Sequence, residues 1–568
     1  MVHSPCRLAV TLIAGLLFAT GCGTSHPPSA TRAARSSCPA RATTQTPADD
    51  ERSLAQSAKA HAHYAAGVVH ELNQESDLAL EEFREAALND PDNEALILDV
   101  SRRLLERKQP AKALELVQPA AARPGASGAM LARLSFLYAQ LGKTDQAIET
   151  ARAVIKKSPR SLAGYQCLSQ SLAVAGQSDA GLRVLDEAAK QPEVSPEFLI
   201  ALAELYAGYT VQIPSQREAI RARALAALDR VPRIAAANVP LRLKLADGLH
   251  QLGASDKAAP IYLDLLAQLD DAPGLREGVR SKLAEIFLRG GDPKRAAEQL
   301  EAIVREDPAN AAAYFYLGNL ALDEQRAKDA ADYLKKALLF NPELEPAYYE
   351  LANAQIAMND VAGAVETLEV ARKKFRQSFG LEYLTGMAEG RRKNYTAAIA
   401  HFTAAEVVAS AGDSKRLTHE FYFQFGATCE RNGDREQAVK HFQKSLELKP
   451  DFDAALNYLG YMWAERGEKL DQARDLIEKA LKVEPKNAAY LDSMGWVLFK
   501  QNQPKEALGY ILKAVDLNEE PDATLFDHLG DIYSALDEPE KAREAWRKSL
   551  GVESSEVVKQ KLEASPAR

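Results

Sequence analysis

One interval limits what this chain can fold into. In NAAAYFYLGNLALDEQRAKDAADYLKKALLFNP (Asn310 to Pro342), with Ala311 as position 1, Tyr314, Leu317 and Gly318 occupy positions 4, 7 and 8. Ala330, Leu334, Ala337 and Pro342 then occupy 20, 24, 27 and 32. The frame returns at multiples of about 34 residues. It is seen in Leu134, Tyr138, Ala147 and Pro159, in Leu283, Ala284, Phe287, Ala296 and Pro308, and in Phe425, Gly426, Ala438, Phe442 and Pro450. It continues through Leu459, Gly460, Ala473, Ala480 and Pro485, then Gly495, Ala507 and Ala514, and ends with Leu529, Gly530, Tyr533, Ala542 and Trp546. A length of 568 residues would ordinarily suggest several unrelated domains, but a chain that repeats one unit stacks copies of it.

The unit is a helical hairpin. Apolar residues at 4, 7, 8 and 11 share one face of a helix, and those at 20, 24 and 27 share one face of a second. Between them lie LGKTD, RGGDP and RNGDR, where a glycine closes the first helix and a Thr or Asp caps the second, with Pro293 at a first helical position. Prolines 159, 308, 342, 450 and 485 stop the second helix. Small residues at 8 and 20, such as Gly318 and Ala330, let the two helices approach closely.

An aromatic at 4, Leu-Gly at 7 and 8, Ala at 20, an aromatic at 24 and a late proline together resemble the tetratricopeptide repeat. The resemblance implies an all-α protein, an α-solenoid of about fourteen hairpins between Ala60 and about Val552, wound as a right-handed superhelix with a concave groove. The implied organisation is a lipoprotein-type signal peptide (1–21), a disordered linker (22–53), an N-terminal part of the solenoid (54–411), a C-terminal part (412–552), and a capping helix with its tail (553–568). Extra residues in AGYTVQIPSQ (Ala207 to Gln216) make the repeat near 207–232 irregular, and GDSKRLT (Gly412 to Thr418) adds a second insertion. Bends are expected at both.

In this family the concave wall is built mainly from positions 2, 5, 9, 12 and 13 of the first helix. These carry Phe315, Asn319, Tyr349, Asn353 and Phe423, then Asn457, Tyr461, Asp492, Trp496, Asp527 and Asp531. Aromatic rings with amides and carboxylates suit an extended peptide, the rings giving contact area and the amides meeting peptide groups. The competing reading is that some of these rings pack against the next hairpin. The Lys and Arg of the family's carboxylate clamp are replaced here by acidic or aromatic residues, so that clamp is not expected.

The N-terminus adds a second constraint. Arg7 precedes a charge-free apolar run from Leu8 to Phe18, which has the anatomy of a signal peptide. As a helix the run would rise only about 16 Å, roughly half the hydrocarbon thickness of a bilayer. The following ATGC resembles a bacterial lipobox, although Ala19 stands where Leu is most frequent. That resemblance makes Cys22 the lipidated first residue of the mature chain; an ordinary secretory signal and an uncleaved segment are the alternatives. Gly23 to Ser53 is rich in Pro, Ser, Thr and Ala and reads as a tether. Its Arg32, Arg35 and Arg41 are read as solvated.

Candidate chemistry is sparse. A formal charge of −9 with 26 % charged residues lacks the basic stripe that nucleic acid requires. LGKTD contains Gly-Lys-Thr, but Leu137 stands where a phosphate-binding loop needs its first glycine. His61, His63 and His70 lie near one another, but only His63 and His70 share a helix face, and no metal is expected. No nucleophile elbow, zincin motif or paired-cysteine spacing occurs. Cys167 and Cys429 are read as buried single thiols, and the expectation is a non-enzyme without cofactors.

The stretch Leu456 to Leu508 is similar to repeats of bacterial envelope tetratricopeptide lipoproteins. That similarity implies protein or peptide partners, a lipid-anchored position in the cell envelope, and an outer-membrane site facing the periplasm. It favours an adaptor for a periplasmic protease. The alternative is an assembly or export factor for outer-membrane proteins, polysaccharide or pili; an enzyme is more remote. The sequence leaves the oligomeric state open.

Overall fold

In the computed structural model, residues 47–564 are described except 233, 235, 236, 270 and 519, with side chains from Leu54 onward. Among the described residues there are twenty-nine α-helices, numbered from α1 (Pro47–Leu72) to α29 (Glu556–Ala564), and no strand. Helices α1 to α28 pair consecutively as antiparallel hairpins, fourteen in all. The chain divides into two compact units at Gln191/Pro192. Within each, the second helix of a hairpin packs on the first helix of the next.

One hairpin shows why the sequence folds this way. Helices α15 (Ala311–Asp323) and α16 (Ala327–Phe340) meet where Gly318 faces Leu334. A Cβ on Gly318 would lie 2.6 Å from Leu334 Cγ, so the close approach requires the glycine. Ala330, Leu334 and Ala337 are fully buried, and burial of the leucine alone contributes about 1.5–3 kcal/mol. Asn310 caps α15 by accepting from Ala313 N at 2.9 Å, and Pro342 follows α16.

Turns between paired helices hold a left-handed residue, glycine at Gly142, Gly291 and Gly433. Gln325, Lys393 and Asn502 adopt the same conformation at φ 61°, so glycine is not required at this turn. Asp292 and Asp434 cap the helices that follow them, accepting from Arg295 N and Gln437 N. Thr144 does not cap. It is the first residue of α6 (Thr144–Lys157), and Lys143 occupies the cap without a side-chain bond.

Both insertions are absorbed the same way. Helix α9 (Pro196–Gln212) runs to seventeen residues and is followed by a 3-10 turn at Pro214–Gln216. Helix α20 (Tyr395–Ala411) is also seventeen residues long, with a 3-10 turn at Ser414–Arg416. Helix α1 begins at Pro47, within the stretch read as linker. The signal peptide, Cys22 and the rest of that linker lie outside the described residues. Among those described, no helix is long and apolar enough to cross a membrane.

Candidate functional site

Helices α21 (His419–Arg431), α23 (Asp453–Arg466), α25 (Ala488–Lys500) and α27 (Ala523–Ala535) are the first helices of four successive hairpins. Their positions 7 and 8 are buried against the partner helix, as in Phe425–Gly426 and Leu459–Gly460. Positions 5, 9, 12 and 13 therefore share the other side. There a cleft of about 410 Å³ opens, lined by Glu430 of α21, Asn457, Tyr461 and Glu465 of α23, and Asp492 of α25, with Leu525 of α27.

A polar network fixes its walls. Trp496 Nε1 donates to Glu465 Oε2 at 2.8 Å, and the Tyr458 hydroxyl donates to Glu430 Oε2 at 3.3 Å. Asp492 Oδ1 lies 2.9 Å from Nδ1 of His528, whose ring stacks on Trp496 with centroids 3.9 Å apart. Burial, and then the charges of Glu465 and Asp492, raise the Tyr461 phenol well above the ordinary tyrosine range. The phenol is therefore a neutral hydroxyl at any physiological pH. Asn457 Oδ1 is buried with no hydrogen-bond partner among the described residues. Asp522 at the rim caps α27 by accepting from Leu525 N at 3.0 Å.

Of the residues expected on the groove wall, the structure brings Asn457, Tyr461 and Asp492 into this cleft. The others have different surroundings. Trp496 is only 6 % exposed, because its ring is held between His528 and Phe499 and its N–H is taken by Glu465; it supports the wall from behind. Phe423 is half-buried against Phe442, Phe452 and Tyr458, the packing role weighed against a contact role. Asp527 and Asp531 are occupied by Lys561 of α29, at 2.8 Å each.

In the earlier hairpins, Phe315 is half-buried and packs against the core around Tyr314 and Leu334. Tyr349 donates to Glu345 at 2.5 Å and shares a 2.9 Å hydrogen bond with Ser378. Burial and the bond to Glu345 push its phenol up to about 12. Asn319 is half-buried with Oδ1 unpartnered among the described residues, and Asn353 is exposed.

Glu430 and Glu465 also line the cleft without being among the expected wall residues, although they stand at positions 12 and 13 of their first helices, inside the frame that defines the wall. His528 stands at position 6, outside that frame. Elsewhere, His63 pairs with Glu82 and His70 with Glu75, while His61 bonds to Ser57 O. Each histidine is thus satisfied separately, and the described residues contain no group of three or more metal-ligating side chains. Cys167 and Cys429 are both free; Cys429 is buried, and Cys167 is half-buried rather than fully enclosed. Burial pushes the Cys429 thiol up to about 12, which leaves it unreactive.

Comparison with known proteins finds the same repeat. Tetratricopeptide repeat family models match residues 281–345, 430–488 and 466–520, residues 321–385 and residues 131–161. The chain is 27 % identical over 206 residues to DnaJ protein P58IPK homolog B of Oryza sativa subsp. japonica, covering 34 % of this chain and 41 % of that protein. It is 31 % identical over 117 residues to the photosystem I assembly protein Ycf3 of Acaryochloris marina, covering 21 % of this chain and 66 % of that one. The match thus spans under half of the first relative's length and just under two thirds of the second's. Among solved structures, the APC/C hetero-tetramer Cut9–Hcn1 aligns at 15 % identity with a TM-score of 0.40, over 82 % of this chain and 95 % of that one. YrrB, a TPR protein with an unusual peptide-binding site, aligns at 21 % identity with a TM-score of 0.28, over 34 % of this chain and 97 % of that one.

Proposed function

This chain is a tetratricopeptide repeat protein, and we propose that it works as a membrane-tethered scaffold that holds protein or peptide partners against the first helices of its hairpins. The observation that carries this reading is the cleft of about 410 Å³ that α21, α23, α25 and α27 leave open. Its tyrosines offer broad contact, and its amide and carboxylates can meet peptide groups and side chains. The reading involves no catalytic step.

The tether and the setting rest on the N-terminal sequence. An apolar run followed by ATGC supports acylation of Cys22, and several acyl chains on one cysteine hold a protein on a membrane for long periods. A lipid attached after export places the solenoid in the cell envelope, and Gly23 after the cysteine favours the outer membrane, facing the periplasm. There the scaffold would serve as the adaptor that presents clients to a soluble protease. A role in assembly or export is the second reading, favoured by the similarity to a photosystem assembly protein.

The test is crosslinking in intact bacteria, solubilisation of the envelope, and capture of the tagged protein, with Cys22→Ala in parallel. A protease recovered in near-equal amounts supports the adaptor, whereas barrel-assembly or export subunits would replace it with the second reading. If Cys22→Ala remains in the membrane fraction, the anchor is refuted.

A further inference from the structure

Carboxylates on the first-helix face of this chain repeatedly hold a positive group delivered by a later helix. Asp247 takes Lys282 at 2.6 Å, and Asp527 and Asp531 both take Lys561 at 2.8 Å. Asp492 is engaged too, its Oδ1 lying 2.9 Å from Nδ1 of His528. Each of these pairs is about one repeat apart in sequence.

Glu430 and Glu465 break the series. Both stand in the cleft, and their carboxylates accept from neutral donors, the Tyr458 hydroxyl and the Trp496 indole. Lys500 donates to the main-chain carbonyl of Glu465 at 3.2 Å and not to its carboxylate. Among the described residues neither forms an ion pair. A carboxylate that accepts one neutral bond retains lone pairs for more, and in a recess its charge is screened less than at an open surface.

The remaining lining adds to the imbalance. Four carboxylates (Glu430, Glu465, Asp492 and Asp522) face two guanidinium groups, Arg435 and Arg466. Arg466 is engaged with Glu468 at 2.7 Å. Tyr458 and Tyr461 supply ring surface for the methylene stem of a long cationic side chain and a face for its charged head.

We propose that the cleft is a docking site for an extended polypeptide segment carrying lysine or arginine, whose cationic group binds the Glu430 and Glu465 carboxylates, which no ion pair among the described residues engages. The inference rests on the reading that this face binds polypeptide, and it names the chemistry of the partner. Acidic segments and anionic membrane surfaces are disfavoured by the same carboxylates.

The test uses the full chain in detergent, immobilised and panned against a random dodecapeptide display library, beside the double variant Glu430→Gln, Glu465→Gln. Glutamine keeps an acceptor for Tyr458 and Trp496, so matching melting curves would show that the fold is retained. The wild type should enrich Lys and Arg by about five-fold over the starting library, and the double variant should keep any aromatic or apolar preference while losing the cationic one. Raising salt from about 50 mM to about 300 mM should weaken the cationic enrichment in the wild type, which checks the charge term without any substitution. Enrichment without Lys or Arg, or a cationic preference that survives in the double variant, overturns this inference and leaves polypeptide binding standing. Failure to enrich any sequence overturns both.

Discussion

His528 and Trp496 lie face to face across two hairpins, ring centroids 3.9 Å apart and planes within 15°. The contact links α27 to α25, and His528 Nδ1 also reaches Asp492, so one buried imidazole, 4 % exposed, connects the cleft wall to the next repeat. His528→Ala should remove the stack and leave a cavity, destabilising this end of the chain by about 2–4 kcal/mol. His528→Phe should restore most of the packing but not the partner of Asp492, and so fall between. The three tryptophans are Trp463, Trp496 and Trp546, so urea unfolding followed by tryptophan fluorescence reads this region selectively. Equal midpoints for wild type and His528→Ala would show that the stack contributes nothing.

The Gly318–Leu334 contact predicts a different signature. Gly318→Ala puts a methyl 2.6 Å from Leu334 Cγ, and overpacking of this kind costs about 1–3 kcal/mol. Adding Leu334→Ala should return part of that cost, because the second change makes room for the first. The fluorescence of the distant tryptophans should move little, since a repeat array loses stability locally. Amide exchange across α15 and α16 is the measurement, and two penalties that simply add would contradict a direct steric clash.

His441 gives a pH dependence with a definite sign. Its ring is 5 % exposed and stacks on Phe425 at 3.9 Å. Burial is the main cause that lowers its pKa from 6.5 to about 4; Glu406 opposes the shift, and Lys444 assists it. The native state therefore keeps the imidazole neutral, while the unfolded chain takes up a proton once pH drops below about 6.5. Stability from this group is complete above that value, falls as pH goes from 6.5 toward 4, and then levels off. The total is about 3 kcal/mol. His441→Phe should flatten this part of the profile, measured as urea midpoint against pH; an unchanged slope would assign the pH sensitivity to other groups.

Much of this fold can be read in the sequence because the repeat states it many times. Gly318, Gly460 and Gly495 each mark a helix pair, and prolines 159, 308, 342, 450 and 485 each mark an end. Turn chemistry is less legible, since Gln325 and Lys393 hold the left-handed position that glycine holds at 291. Wall positions are legible as a register but not as roles. Trp496 and Tyr461 both occupy position 9, yet only Tyr461 lines the cleft, because His528 from the next hairpin covers the tryptophan. Asp527 and Asp531 have the right spacing, but Lys561, some thirty residues later, occupies them. Such contacts arise between repeats, and no single repeat encodes them.

The C-terminal helix supplies the last prediction. Lys561 is 2.8 Å from both Asp527 and Asp531, and Asp531 also accepts from Trp546 Nε1 at 3.2 Å. Burial raises the Asp531 carboxyl above the ordinary aspartate range; Lys561 opposes that rise, and the nearby charge of Asp527 adds to it. Lys561→Gln removes the opposing charge and leaves two carboxylates close together without their cation. The pair should then loosen, α29 should lose its hold on α27, and the last hairpin should be destabilised by about 1–3 kcal/mol. Adding Asp527→Asn should recover part of this by removing one of the two negative charges. Because Trp546 shares Asp531, its fluorescence should change with Lys561→Gln even in the folded protein. An unchanged spectrum together with unchanged amide exchange in α27 and α28 would mean that Lys561 only solvates the end of the array.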